Sequence, residues 1–137
     1  MKQINRGTHI YLFLAAWFCS LMVVMIYTSL FYDQPGFQDL LGFGGLLLFA
    51  CIVLIPFCYL PLMWSYKKLN IPSVWWSRII GLVVIGNIPI YLLMWKQYEG
   101  KMSLPEAKLF LSGYITIAMV YGFLYHHKRN ENFIQKT

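Results

Sequence analysis

Four long apolar stretches separated by short polar ones set the pattern of this 137-residue chain. The apolar stretches run from His9 to Tyr32, Leu40 to Tyr66, Val74 to Trp95 and Ala107 to Tyr125, with no acidic residue inside them and basic ones only near their ends, at Arg78 and Lys108. Crossing a hydrocarbon core takes about 20 consecutive apolar helical residues, and each stretch is of that length. The pattern therefore predicts an all-α integral membrane protein with four transmembrane helices and a single transmembrane domain over residues 1–137.

The intervening links are short and rich in turn residues. Asp33-Gln34-Pro35-Gly36 is a turn signal, because Pro35 presets its own dihedral and Gly36 tolerates a positive one. The second link, Lys67 to Ser73, contains Asn70 and Pro72. The third, Lys96 to Met102, leads into Ser103-Leu104-Pro105-Glu106, whose Ser-x-x-Glu spacing is a capping box for the fourth helix. Short links make consecutive helices antiparallel neighbours, so the expected architecture is an up-down-up-down bundle. The polar tail from Asn130 to Thr137 is expected to fray.

Composition agrees: 59% of residues are hydrophobic and only 12% charged, against about 25% charged in soluble domains. That leaves no room for a separate soluble domain. The net charge of +6 does not indicate nucleic acid, because the basic residues lie at helix ends rather than in one patch. Lys2, Arg6, Lys67, Lys68, Arg78, Lys128, Arg129 and Lys136 fall on one side, and Lys96, Lys101 and Lys108 on the other. Under the positive-inside rule this places both termini in the cytoplasm and suggests a bacterial inner membrane. The first stretch is longer than a signal-peptide core and is expected to be retained. Trp64, Trp75 and Trp76 at one boundary and Trp95 and Tyr98 at the other read as interfacial belts, with Trp17 an exception at mid-span.

The candidate chemistry is sparse. Asn87 and Pro89 sit inside the third stretch, and a buried amide costs several kcal/mol if unpaired. Counting depth from the outer ends sets Asn87 level with Thr116 and Tyr91 level with Ser112, each pair sharing a helix face at i, i+4 spacing. These four residues form the candidate outward-opening pocket or helix-helix seam, with Thr28 and Ser29 near its mouth. Pro89, Pro56 and Pro61 each remove a backbone donor, which leaves the carbonyls of Ile85, Ile52 and Phe57 without their usual partners. Ala16 with Ser20, and Ala118 with Gly122, make small-x-x-x-small patterns suited to an internal seam or a contact between copies. The glycines of Leu41-Gly42-Phe43-Gly44-Gly45-Leu46 loosen a helix start or allow close packing.

Cys19, Cys51 and Cys58 all lie within spans and read as small packing residues rather than redox or metal groups. His9, His126 and His127 collect at one membrane boundary, where a pair on separate helices could ligate haem, although no cofactor is expected. There is no phosphate loop, no His-Glu-x-x-His and no Ser/His/Asp set. A proton-coupled exchanger lacks its intramembrane carboxylate. The pattern fits a non-enzymatic accessory, assembly or oligomer-forming subunit whose partners are the bilayer and either further copies or a larger membrane complex. An oligomeric channel or pore is the first alternative, and a lipid-, quinone- or haem-binding redox subunit the second.

Overall fold

The structure, a computed structural model, describes residues 6–32, 36–68, 75–101 and 105–134. It is all-helical among these residues: α1 (Arg6–Phe31), α2 (Phe37–Leu54), α3 (Leu60–Lys68), α4 (Trp75–Gly81), α5 (Ile88–Gln97) and α6 (Pro105–Ile134). Two single π-helical turns, Ile55–Tyr59 and Leu82–Gly86, join α2 to α3 and α4 to α5. The result is four helices long and apolar enough to cross a membrane: Gly7–Phe31, Phe37–Tyr66, Trp75–Gln97 and Pro105–Lys128.

Proline places the two wide turns. Pro56 cannot donate to the ladder, and the N–H of Leu60 donates to the Ile55 carbonyl five residues back, so the helix widens rather than breaks. The second wide turn comes just before Pro89. Here the Ile85 carbonyl, which Pro89 cannot serve, accepts from the backbone N–H of Asn87. In α3 the Pro61 carbonyl accepts from Ser65 Oγ at 2.9 Å.

Helix ends differ from the sequence expectation in two places. α6 is helical to Ile134, past the start of the polar tail at Asn130. At α2, the Gly36 N–H donates to Asp39 Oδ2 at 2.9 Å, which satisfies one orphan donor and sets a negative charge on the positive end of the helix. The expected capping serine Ser103, the turn residues Asp33 to Pro35, and Asn70 and Pro72 lie outside the described residues.

The core forms where small residues let helices close. α1 and α6 run along each other: His9 is beside Tyr125, and Ser20 Oγ donates to the Gly113 carbonyl at 2.9 Å. A Cβ on Gly113 would lie 2.9 Å from Val24 Cγ2 and 3.0 Å from Leu47 Cδ2, so the missing side chain is what admits the first and second spans. Trp17, unexpected at mid-span, donates its indole N–H to the Gly44 carbonyl at 2.9 Å and ties α1 to α2. Gly122 accepts Leu82 and Ile79 of the third span, and Gly86 accepts the ring of Tyr59. Ala16, Ser20, Ala118 and Gly122 are all buried, so both small-residue patterns are spent inside the bundle. The outer surface carries exposed Phe18, Phe49, Phe57 and Leu92, a composition suited to hydrocarbon.

Two glycine substitutions should separate close packing from helix propensity. Gly113→Val is expected to lower stability in detergent by about 1–3 kcal/mol through overpacking. Gly45→Ala, where an added Cβ meets nothing within 4 Å, is expected to raise it by roughly 0.5–1 kcal/mol. Thermal unfolding of the two variants checks both signs.

Candidate functional site

Asn87 lies at the end of the second wide turn and is fully buried. Its Oδ1 accepts the Tyr59 hydroxyl at 2.6 Å, and its Nδ2 donates to the Tyr114 carbonyl at 3.3 Å. One amide thus links the second, third and fourth spans. Tyr59 is in reach because Gly86 has no side chain to push its ring away.

The other three residues of the expected pocket do something different. Tyr91 donates its hydroxyl to the Val83 carbonyl in the wide turn of its own span. Ser112 donates to Leu109 O at 2.6 Å, and Thr116 to Ser112 O at 2.8 Å. Thr28 and Ser29 likewise donate to Val24 O and Met25 O in α1. The hydroxyl protons are therefore spent locally, and Asn87 finds Tyr59 and the Tyr114 carbonyl where depth matching paired it with Thr116. Tyr59 is the partner sequence reading missed. A tyrosine three residues after Pro56 was the available signal.

The tyrosines continue the polar line. Tyr59 and Tyr121 have ring centroids 5.8 Å apart, and Tyr121 and Tyr125 are 6.0 Å apart. The Tyr121 hydroxyl is buried with no hydrogen-bond partner. Its ring is nonetheless fully packed, which offsets part of the cost.

At the far end of α1 from His9 is an open crevice of about 500 Å³, lined by Thr28, Tyr32, Asp39, Phe43, Glu106, Leu109 and Phe110. It lies between the first, second and fourth spans, whereas the expected pocket joined the third and fourth. Phe43 and Phe110 meet edge to face across 5.9 Å. The Tyr32 phenol has its pKa pushed above the ordinary value by desolvation and then by the Glu106 carboxylate. Tyr98 is shifted the same way by the same two causes in the same order. Glu106 therefore casts a negative field over this end.

The opposite end is aromatic. Trp75 stacks on Trp76 at 3.8 Å and lies 6.5 Å from His126, while His127 stacks on Phe123 at 6.4 Å. The His9 ring is 6.4 Å from that of Tyr125. Among the described residues no three His, Cys, Asp or Glu side chains are grouped to hold a metal ion. Cys19, Cys51 and Cys58 are free thiols.

Compared with known proteins, the chain matches no family model, no curated protein and no solved structure.

Replacing Asn87 tests the three-span link. Asn87→Leu leaves the Tyr59 hydroxyl and the Tyr114 carbonyl without this partner and is expected to cost about 1–3 kcal/mol. Adding Tyr59→Phe to it should cost less than the two single effects combined, because the pair shares one bond. Thr116→Val, which removes a bond within its own helix, should stay within about 0.5 kcal/mol of wild type. A double-mutant cycle read by thermal unfolding in detergent measures all three.

Proposed function

We propose that the protein is a non-enzymatic accessory or assembly subunit of a bacterial inner membrane: an up-down-up-down bundle with both termini cytoplasmic, which associates with further copies of itself or with a larger membrane complex. The observation that carries this reading is the use of the buried polar side chains. Among the described residues Ser20, Thr28, Asn87 and the Tyr59 hydroxyl are each spent on a hydrogen bond within the bundle, while the Tyr121 hydroxyl is packed without one. No buried acidic or basic side chain accompanies them among the described residues, so the interior lacks the embedded charge that proton-coupled chemistry in a membrane uses.

The arrangement of the spans is supported by their contacts. The start of α1 is beside the end of α6, and Thr28 near its other end shares a crevice with Glu106 at the start of α6. The distribution of lysine and arginine supports the cytoplasmic placement of both ends. An interior filled by Leu12, Leu47, Leu54, Tyr59, Leu82 and Tyr121 leaves the outer surface for association, and that surface offers exposed aromatic and branched side chains on every span. Because the small-residue patterns are used internally, association falls to these larger side chains.

Two measurements test the proposal. Reporter tags at the two termini are expected to be accessible from the same, cytoplasmic, face; opposite faces would overturn the up-down arrangement. The detergent-purified particle is expected to have a mass above one 16.1 kDa chain, as an oligomer or with a co-purifying protein. A stable lone monomer retaining a tight small ligand through purification would refute the subunit assignment.

A further inference from the structure

The crevice between the first, second and fourth spans is separate from the Asn87 link and carries two carboxylates that link does not use. We propose that it is a binding site for an organic ammonium ion, held by the Asp39 and Glu106 carboxylates and by the aromatic pair Phe43 and Phe110. The volume of about 500 Å³ falls in the range of small-ligand pockets, roughly 300–1,000 Å³. Its walls join two kinds of surface: exposed carboxylates on α2 and α6, and an apolar floor of Phe43, Phe110 and Leu109.

Each component selects against another ligand class. A hard divalent cation wants about six oxygen ligands, and an apolar floor supplies none. An inorganic or organic anion meets two carboxylates and the field Glu106 already imposes on Tyr32 and Tyr98. A neutral apolar molecule has no use for either carboxylate. An ammonium with apolar substituents uses both: its charge is balanced by Asp39 and Glu106, and its alkyl groups rest on Phe43 and Phe110, whose ring quadrupoles attract cations. Asp39 is held in place for this role. Its Oδ2 is anchored by the Gly36 N–H at 2.9 Å, which fixes the carboxylate at the α2 end and leaves its other oxygen for a ligand.

The test uses the purified full chain in maltoside micelles with benzyltrimethylammonium as the probe and benzenesulfonate as the control of similar size and opposite charge. Stabilisation follows ligand concentration when a ligand binds the folded state alone. The ammonium is expected to raise the unfolding temperature in a saturable way and the sulfonate to leave it unchanged. Glu106→Gln is expected to weaken the probe by about threefold through loss of an exposed charged partner. Asp39→Asn keeps the oxygen that accepts from Gly36 but removes the charge at the start of α2, so a small loss of unliganded stability is expected beside the weaker probe response. Phe110→Leu is expected to weaken it roughly threefold, the size of an exposed cation–π contact.

Equal stabilisation by both probes, or an unchanged response in both carboxylate variants, would overturn the assignment. Dihexanoylphosphatidylcholine, added as competitor, identifies the source of the ammonium. Displacement of the probe assigns the site to a lipid headgroup, and its absence assigns it to a free amine. The result stands apart from the subunit proposal, because particle mass and tag accessibility do not depend on occupancy of the crevice.

Discussion

A helix inside hydrocarbon has no water to satisfy a lost hydrogen bond, so every backbone group that proline frees must be served from within the protein. Both the second and the third spans carry prolines near mid-length, and both answer with a π-helical turn. The wide turn at Leu82–Gly86 then creates the rest of the site. It ends on Asn87, whose backbone N–H serves Ile85 and whose side chain is left pointing into the bundle toward Tyr59 and the Tyr114 carbonyl. Tyr91 serves Val83 in the same turn. The polar residues of the third span thus repair its backbone and connect it to two neighbours at once.

That connection depends on close approach, which the glycines supply. Gly86 admits the Tyr59 ring, Gly113 admits Val24 and Leu47, and Gly122 admits Leu82 and Ile79. Without a hydrophobic drive between helices already in lipid, such contacts and the few interhelical hydrogen bonds carry the association. Trp17 to Gly44 and Ser20 to Gly113 are both of this kind, side-chain donors reaching carbonyls on another helix. A carbonyl in a helix keeps a spare lone pair, so it can accept from a neighbour without giving up its own ladder.

The four spans were legible because length and hydropathy alone decide them. The partners of Asn87 were not. Depth counting treats a helix as a uniform rod, but a wide turn sits immediately before Asn87 and changes both the rise and the facing of the residues around it. It also assumed that hydroxyls reach across, whereas Ser112 and Thr116 have carbonyls of their own helix closer at hand. Tyr59 was hidden for a different reason. A tyrosine in an apolar run reads equally as core, belt or site, and only the fold shows that Gly86 faces it. The crevice was illegible because its residues come from the ends of three spans, and Glu106 reads first as part of a capping box. Asp39 fills a capping role of its own, through Gly36.

The two ends of the bundle are chemically unlike, and this follows from the same division of labour. With the buried Ser20, Thr28, Tyr59 and Asn87 side chains committed to bonds between or within helices, charged groups sit where the helices stop. One end gathers Trp75, Trp76, His9, His126 and His127 into stacked and tilted aromatic contacts. The other gathers Tyr32, Asp39 and Glu106 around an apolar floor. A charged side chain at a helix end keeps access to water, while the same side chain several turns deeper would pay a desolvation cost of several kcal/mol. The ends can therefore carry charge that the interior cannot, and the interhelical hydrogen bonds of the interior hold the four helices that separate them together.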